Sequence, residues 1–213
     1  MKTNRFRFAL AAMLMTLMAG CTVSPMYYPP MEKGDIESEF PAAWEGRWER
    51  FDDKEGTITS FILNRKVCED VQGKPAFLTM MVTQSAEEFL TLPLRVHSVR
   101  YGNEPFLAVQ ADLRRIAESG RISSYGVFML RPYYYLVKPE MPDKDTLKLS
   151  FVSWIEIRDD EFIPLDPAVK LEPGSAVVMN TTAELKALIA AKKYRLVEER
   201  IFRRRPAPAP AKP

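Results

Sequence analysis

The sequence predicts a mainly β chain: an antiparallel β-barrel or sandwich with one C-terminal helix packed before a last strand. Three observations carry the prediction. Runs rich in β-branched and apolar residues recur through residues 56–152, Gly, Pro and Asn/Asp turn signals separate them, and a single stretch near the C-terminus has helical periodicity.

Ahead of the strands, residues 5–21 read RFRFALAAMLMTLMAGC. Lys2, Arg5 and Arg7 make a positive start, Phe8 to Met18 an apolar run, and Ala19 and Gly20 a small pair before Cys21, the layout of an export signal. The run is short for a membrane span. It resembles the lipobox of bacterial lipoproteins, carried here by Leu17, Met18, Ala19, Gly20 and Cys21. The resemblance implies that residues 1–20 are a cleaved signal peptide and that Cys21 becomes a diacylglycerol- and palmitate-bearing N-terminus. It also implies retention at the outer membrane, facing the periplasm, because Thr22 stands where an aspartate favours the inner membrane. The membrane is then a partner held by acyl chains, each buried methylene contributing about 0.8 kcal/mol.

Removal of the signal takes three basic residues and turns the formal charge of +2 into −1. No overall basicity points to nucleic acid. With Cys21 lipidated, Cys68 is the only other cysteine and has no internal disulfide partner; its alternating surroundings suit a buried thiol. Residues 21–43 contain Pro25, Pro29, Pro30 and Pro41 among polar residues, a composition suited to an extended tether. Residues 205–213 alternate Pro and Ala and suit a polyproline II tail. The basic run Arg203, Arg204 and Arg205 next to that tail suits weak adhesion to anionic envelope surfaces. Between the two ends, residues 44–204 have the size of one domain.

Within the domain, residues 56–63, 76–83, 89–101, 106–111, 125–130, 133–137 and 146–152 read as strands. Pro93 lies inside one of them and marks an edge or bulge. Residues 180–193 read as the helix: Thr181 or Thr182 caps it, Glu184 sits in the first turn, Lys192 and Lys193 in the last, and Leu185, Leu188 and Ile189 share a face. Residues 194–202 read as the closing strand.

Gly46-Arg47-Trp48, early in the domain, is similar to the Gly-X-Trp signature of lipocalins and related calycin barrels. The late helix before a last strand fits that family too, and residues 135–138, 145–149 and 178–185 resemble largely uncharacterised bacterial lipoproteins with lipocalin-like folds. The resemblance implies that Gly46 and Trp48 close one end of the barrel, with an arginine among Arg203, Arg204 and Arg205 stacked on the tryptophan. The glycine permits a bend that leaves Trp44 more exposed than Trp48.

Catalysis finds little support. His97 is the only histidine and has no triad spacing around it; metal-cage spacing is missing likewise, and no motif implies a cofactor. A small barrel has room for packed side chains or one small ligand. Residues Phe61, Met80, Phe106, Phe128, Tyr134 and Trp154 are the candidate lining for a small apolar ligand or lipid. The alternative is an envelope-interaction protein that docks a protein partner through Tyr133, Tyr134 and Tyr135, since tyrosine is enriched at interfaces.

Overall fold

A computed structural model describes residues 23–38, 41–53, 56–63, 67–69, 75–85, 89–118 and 133–206. The elements are β1 (Gly46–Asp52), β2 (Thr57–Leu63), β3 (Val67–Glu69), β4 (Pro75–Gln84), β5 (Phe89–Tyr101), β6 (Glu104–Ala111), helix α1 (Leu113–Glu118), β7 (Tyr134–Asp143), β8 (Thr146–Ser153), the hairpin β9 (Ile155–Arg158) and β10 (Glu161–Pro164), helix α2 (Thr182–Ala190) and β11 (Arg195–Arg205).

Eight of these strands close an antiparallel barrel. Each of β4 to β7 pairs with the next in sequence, β8 pairs with β11, β11 with β1, β1 with β2, and β2 returns to β4. β3 takes the remainder of the β4 edge that β2 uses, pairing Val67 with Phe77 while β2 pairs Phe61 with Met81. Closure removes the free edges that would otherwise template aggregation, and the arrangement is consistent with a lipocalin-like barrel.

The barrel has two distinguishable ends. The start of β1, the end of β2, the tight hairpins Tyr101↔Glu104 and Asp143↔Thr146, and the end of β11 meet at one. The end of β1, the start of β2, the end of β4, the start of β5, the end of β6, the start of β7, the end of β8 and the start of β11 meet at the other, which we call the open end only to contrast it with the plugged one, since Ile116 of α1 packs there on Met81 and Leu92.

Two cores share the wall of β5 to β8. The inner one fills the barrel with Trp48, Phe61, Phe77, Leu107, Leu147 and Phe202. The outer one lies against the opposite face of the same strands and includes Met26, Phe106, Leu136 and Trp154 together with Leu185, Leu188 and Ile189 of α2. Helix α2 begins as its sequence predicts: the Thr181 hydroxyl accepts from the Glu184 backbone N–H, and the Glu184 carboxylate accepts from the Thr181 N–H at 2.8 Å, a capping box.

Three expectations need correction. Residues 23–38 are packed against the barrel rather than tethered loosely. Val23, Met26 and Met31 are buried, and the Met26 N–H donates to the Tyr134 carbonyl while Tyr134 returns the bond. A proline-rich segment has few apolar residues to bury, but Met26 and Met31 join the outer core, Val23 joins the inner one, and the backbone groups of Met26 are satisfied by β7. Pro93 makes no bulge, since it keeps register with Met80, though β5 up to this residue is an edge paired with β4 alone. Its carbonyl accepts from Asp112 just beyond β6, so the N–H it lacks would point to the side where that ladder has ended. Trp44, third, is nearly as buried as Trp48, at 7% against 0% exposure. The strand predicted at 125–130 lies outside the described residues, as do Cys21 and the tail beyond Pro206.

Candidate functional site: the barrel interior

At the sealed end, a short 3-10 turn over Ala42–Trp44 delivers the chain into β1. The Trp48 indole N–H donates to the Trp44 carbonyl at 2.9 Å, which holds both rings in the plug. Of the three candidate arginines, Arg204 is the one that stacks, its guanidinium 4.4 Å from the centre of the Trp48 ring. The same guanidinium donates to three carbonyls, those of Glu45, Ala43 (2.6 Å) and Lys144 (2.9 Å). The close approach explains Gly46. Its φ is +142°, and a Cβ there would lie 2.7 Å from Arg204 Nη1, so only glycine fits without displacing the arginine. Arg203 donates to the Thr146 hydroxyl and Arg205 to the Glu49 carboxylate. All three arginines therefore help to hold the closing strands together, Arg203 and Arg205 while remaining exposed.

Above this plug the interior keeps an apolar cavity of about 110 Å³, lined along its length by Phe61, Leu63, Val96, Leu107, Val137, Leu147, Leu149 and Phe202, and toward the open end by Met81, Leu92 and Ala111. At roughly 10–15 Å³ for each water-sized sphere, this admits on the order of eight, and about as many methylenes. It is far smaller than the ~300 Å³ at which pockets for drug-sized ligands begin. A slim chain fits, and a broad ring system does not.

Four polar side chains interrupt the lining: Thr59, Thr79, Tyr135 and Arg200. Thr79 is satisfied by the Ile62 carbonyl at 2.5 Å. Arg200 lies 5.5 Å from the Phe151 ring centre and pairs with Glu198 at 3.0 Å. It faces inward because a bulge sets the phase of β11: Val197 is opposite Phe151 and Arg200 opposite Leu149, with Glu198 at φ +49° in between. The second oxygen of Glu198 and the hydroxyl of Tyr135 are buried without a hydrogen-bond partner among the described residues. Burial, with the neighbouring Tyr133 phenol second, pushes the Tyr135 hydroxyl up to about 12, so it is a neutral donor at physiological pH.

Of the six residues proposed to line a ligand site, Phe61 does so. Met80 is exposed on the outside of β4, and the residue after it, Met81, points in. Phe106, Tyr134 and Trp154 belong to the outer core, while Leu107 and Tyr135 take the inward places. Phe128 lies outside the described residues. The tyrosine triplet offers no exposed patch: Tyr134 packs on the outer core, Tyr135 on the inner one, and Tyr133 is half-buried. His97 is wholly buried on β5, opposite Ala108 of the outer core.

A second, more polar groove of about 410 Å³ lies between α2 and the β5–β6 hairpin. Its charges are already matched within the protein: Arg100 with Glu37, Lys186 with Asp35 and Glu32, and Glu104 with Lys138 and Lys192. Glu104 is accordingly held below the usual carboxylate range, first by the Lys138 hydrogen bond. Among the described residues there is no cluster of three or more His, Cys, Asp or Glu able to hold a metal ion, and no helix long and apolar enough to cross a membrane.

No protein-family model, curated protein or solved structure matches the chain. The barrel interior is thus read on its own geometry.

Proposed function

We propose that this is a non-catalytic lipoprotein, acylated at Cys21 and anchored to the outer membrane facing the periplasm, whose barrel binds one slim apolar chain with a polar head. The observation that carries the binding reading is the lining of the cavity: apolar along its length, with Arg200 and a Tyr135 hydroxyl that has no hydrogen-bond partner among the described residues as polar features. A buried hydroxyl without a partner destabilises a fold by about 1–3 kcal/mol, and a ligand acceptor at that point offsets it. A carboxylic acid or ester oxygen is such an acceptor, beside the Arg200–Glu198 ion pair. The narrow bore selects a single alkyl chain over a sterol-like body.

The anchoring part rests on the lipobox residues Leu17 to Cys21. Replacing Cys21 with serine is expected to abolish acylation and release the chain from outer-membrane fractions; continued co-fractionation with a cleaved signal would contradict it.

For binding, calorimetric titration of the purified protein with saturated fatty acids of increasing length is expected to give affinity that rises with each carbon and levels off near the length the cavity admits. Tyr135→Phe is expected to weaken binding without lowering thermal stability. Equal heats for the parent and for a variant whose bore is filled, Leu149→Trp, would contradict an interior site.

A further inference from the structure

We propose that the groove between α2 and the β5–β6 hairpin is a second binding site, separate from the bore, for a neutral mono- or disaccharide.

The groove exists because short side chains stand where its walls would otherwise meet. Ala187 and Ala190 of α2 line it and are exposed, and Gly102 turns the hairpin at φ +59° with nothing within 4 Å of where a Cβ would stand. The space left is about 410 Å³, inside the ~300–1,000 Å³ of small-molecule pockets. At roughly 10–15 Å³ for each water-sized sphere it holds on the order of thirty, more than the roughly two dozen non-hydrogen atoms of a disaccharide.

Its floor is apolar. Phe106 and Ile189 are buried beneath it, and the half-buried rings of Tyr101 and Tyr194 have their centres 5.6 Å and 6.2 Å from that of Phe106. Such a floor takes the C–H face of a sugar ring while the hydroxyls turn to the rim.

The rim decides the class of ligand. Asp35 accepts from Lys186 at 2.8 Å, Glu104 pairs with Lys192 at 3.2 Å, and Arg100 donates to Glu37 at 2.8 Å. Behind them Lys138 donates to Glu104 at 2.8 Å and Lys186 reaches Glu32 at 3.3 Å. Arg100, Lys138, Lys186 and Lys192 thus balance Glu32, Asp35, Glu37 and Glu104. The pairs keep their charges: the hydrogen bond from Lys138 comes first in holding Glu104 below the usual carboxylate range, and the one to Asp35 comes first in holding Lys186 above the ordinary lysine value. An anion would have to draw a cation off its carboxylate and leave that carboxylate unpaired, and a cationic ligand would do the reverse; either costs affinity. A hydroxyl donates and accepts at once, so it bridges an ion pair without separating it. Neighbouring hydroxyls on a sugar ring match a rim on which donors and acceptors alternate.

The two sites lie on opposite faces of one wall. Along β6, Phe106 faces the groove and Leu107 faces the bore.

The test is calorimetric titration and saturation-transfer NMR of the purified full chain with four probes: cellobiose and N,N′-diacetylchitobiose as neutral disaccharides, cellobionate as the anion, and the unacetylated glucosamine disaccharide as the cation. The expected result is one-to-one binding of a neutral disaccharide at least about tenfold tighter than that of either charged probe. Preference for the acetylated probe identifies an amino-sugar glycan as the source, and preference for cellobiose a plain glucan. Ala190→Trp, at an exposed helix position, fills the groove and is expected to abolish binding while the thermal transition is kept. Ala187→Phe fills it from the same helix face should Ala190→Trp alter the fold. Absence of binding by both neutral probes, equal binding of a charged one, or undiminished binding by a folded groove-filled variant would overturn the proposal.

Discussion

The two ends of this barrel are made from the same strands and solve opposite problems. At the sealed end, Arg204 spreads its donors over the carbonyls of Ala43, Glu45 and Lys144 while its face covers Trp48, and Trp48 in turn donates to Trp44. Toward the open end, the Tyr135 hydroxyl and one Glu198 oxygen are buried without partners among the described residues. Fully satisfied buried groups rigidify a structure, whereas orphaned ones destabilise it unless something else fulfils them. The contrast places the satisfied contacts at one end and leaves the other as the end proposed for recognition.

The largest expected effect lies at the sealed end. Trp48→Ala removes a fully buried indole and should destabilise the fold by about 3–5 kcal/mol, read by chemical denaturation. Phe51→Ala at the open end, where the ring is 61% exposed, should shift stability by less than about 0.5 kcal/mol. Similar losses for the two would erase the contrast. Gly46→Ala comes next: the positive φ and the clash with Arg204 together should lower stability by about 1–3 kcal/mol, and the double variant with Arg204→Ala should lose less than the sum of the two single losses, since the clashing group is gone. Additive losses in that double variant would mean the glycine serves some purpose other than the arginine's approach.

Much of the fold is legible in the sequence because alternation at period two is robust. Strands β2, β4, β5, β6, β7, β8 and β11, the Thr181-capped helix and the barrel plug all follow from spacing or from the Gly46-Arg47-Trp48 signature. The site is less legible, for a physical reason. Along β6 and β7 both faces are buried, one by the inner core and one by the outer, so apolar residues at odd and even places look alike and alternation has no sign. Phe106 and Tyr134 are read as lining, and their neighbours Leu107 and Tyr135 do the lining. On β4 the paired methionines Met80 and Met81 pose the same ambiguity. Arg200 escapes notice because the bulge at Glu198 shifts the phase of β11. The signal available for Arg204 is its place two residues after the inward-facing Phe202, which puts it on the same side.

Two smaller effects sharpen the comparison. Tyr135→Phe removes an orphaned hydroxyl, so stability should stay level or rise by up to about 1 kcal/mol while ligand affinity falls; a clear loss of stability would show that the hydroxyl has a structural partner. The smallest effect concerns α2. The Glu184 carboxyl is held down to about 2, from an ordinary 4.5, first by its hydrogen bond from Lys170 and then by the Thr181 N–H. Because the folded value lies below the unfolded one, the stabilisation is complete above about pH 5 and is lost as pH falls through 4.5 toward 2. The melting-temperature difference between the parent and Glu184→Gln should therefore be constant from neutral pH down to about 5 and shrink below it; a difference that persists unchanged near pH 2 would rule out the carboxylate as its source.

The central claim is that the barrel interior is a site for one slim apolar chain. Native mass spectrometry of the protein extracted from its own membrane, followed by identification of what is released, tests it directly. The account predicts a single non-covalent alkyl-bearing molecule in stoichiometric amount with the parent, and none with Leu149→Trp at unchanged acylation. A protein that carries no such molecule and binds no fatty acid afterwards, or a Leu149→Trp variant that carries it equally, would contradict the claim.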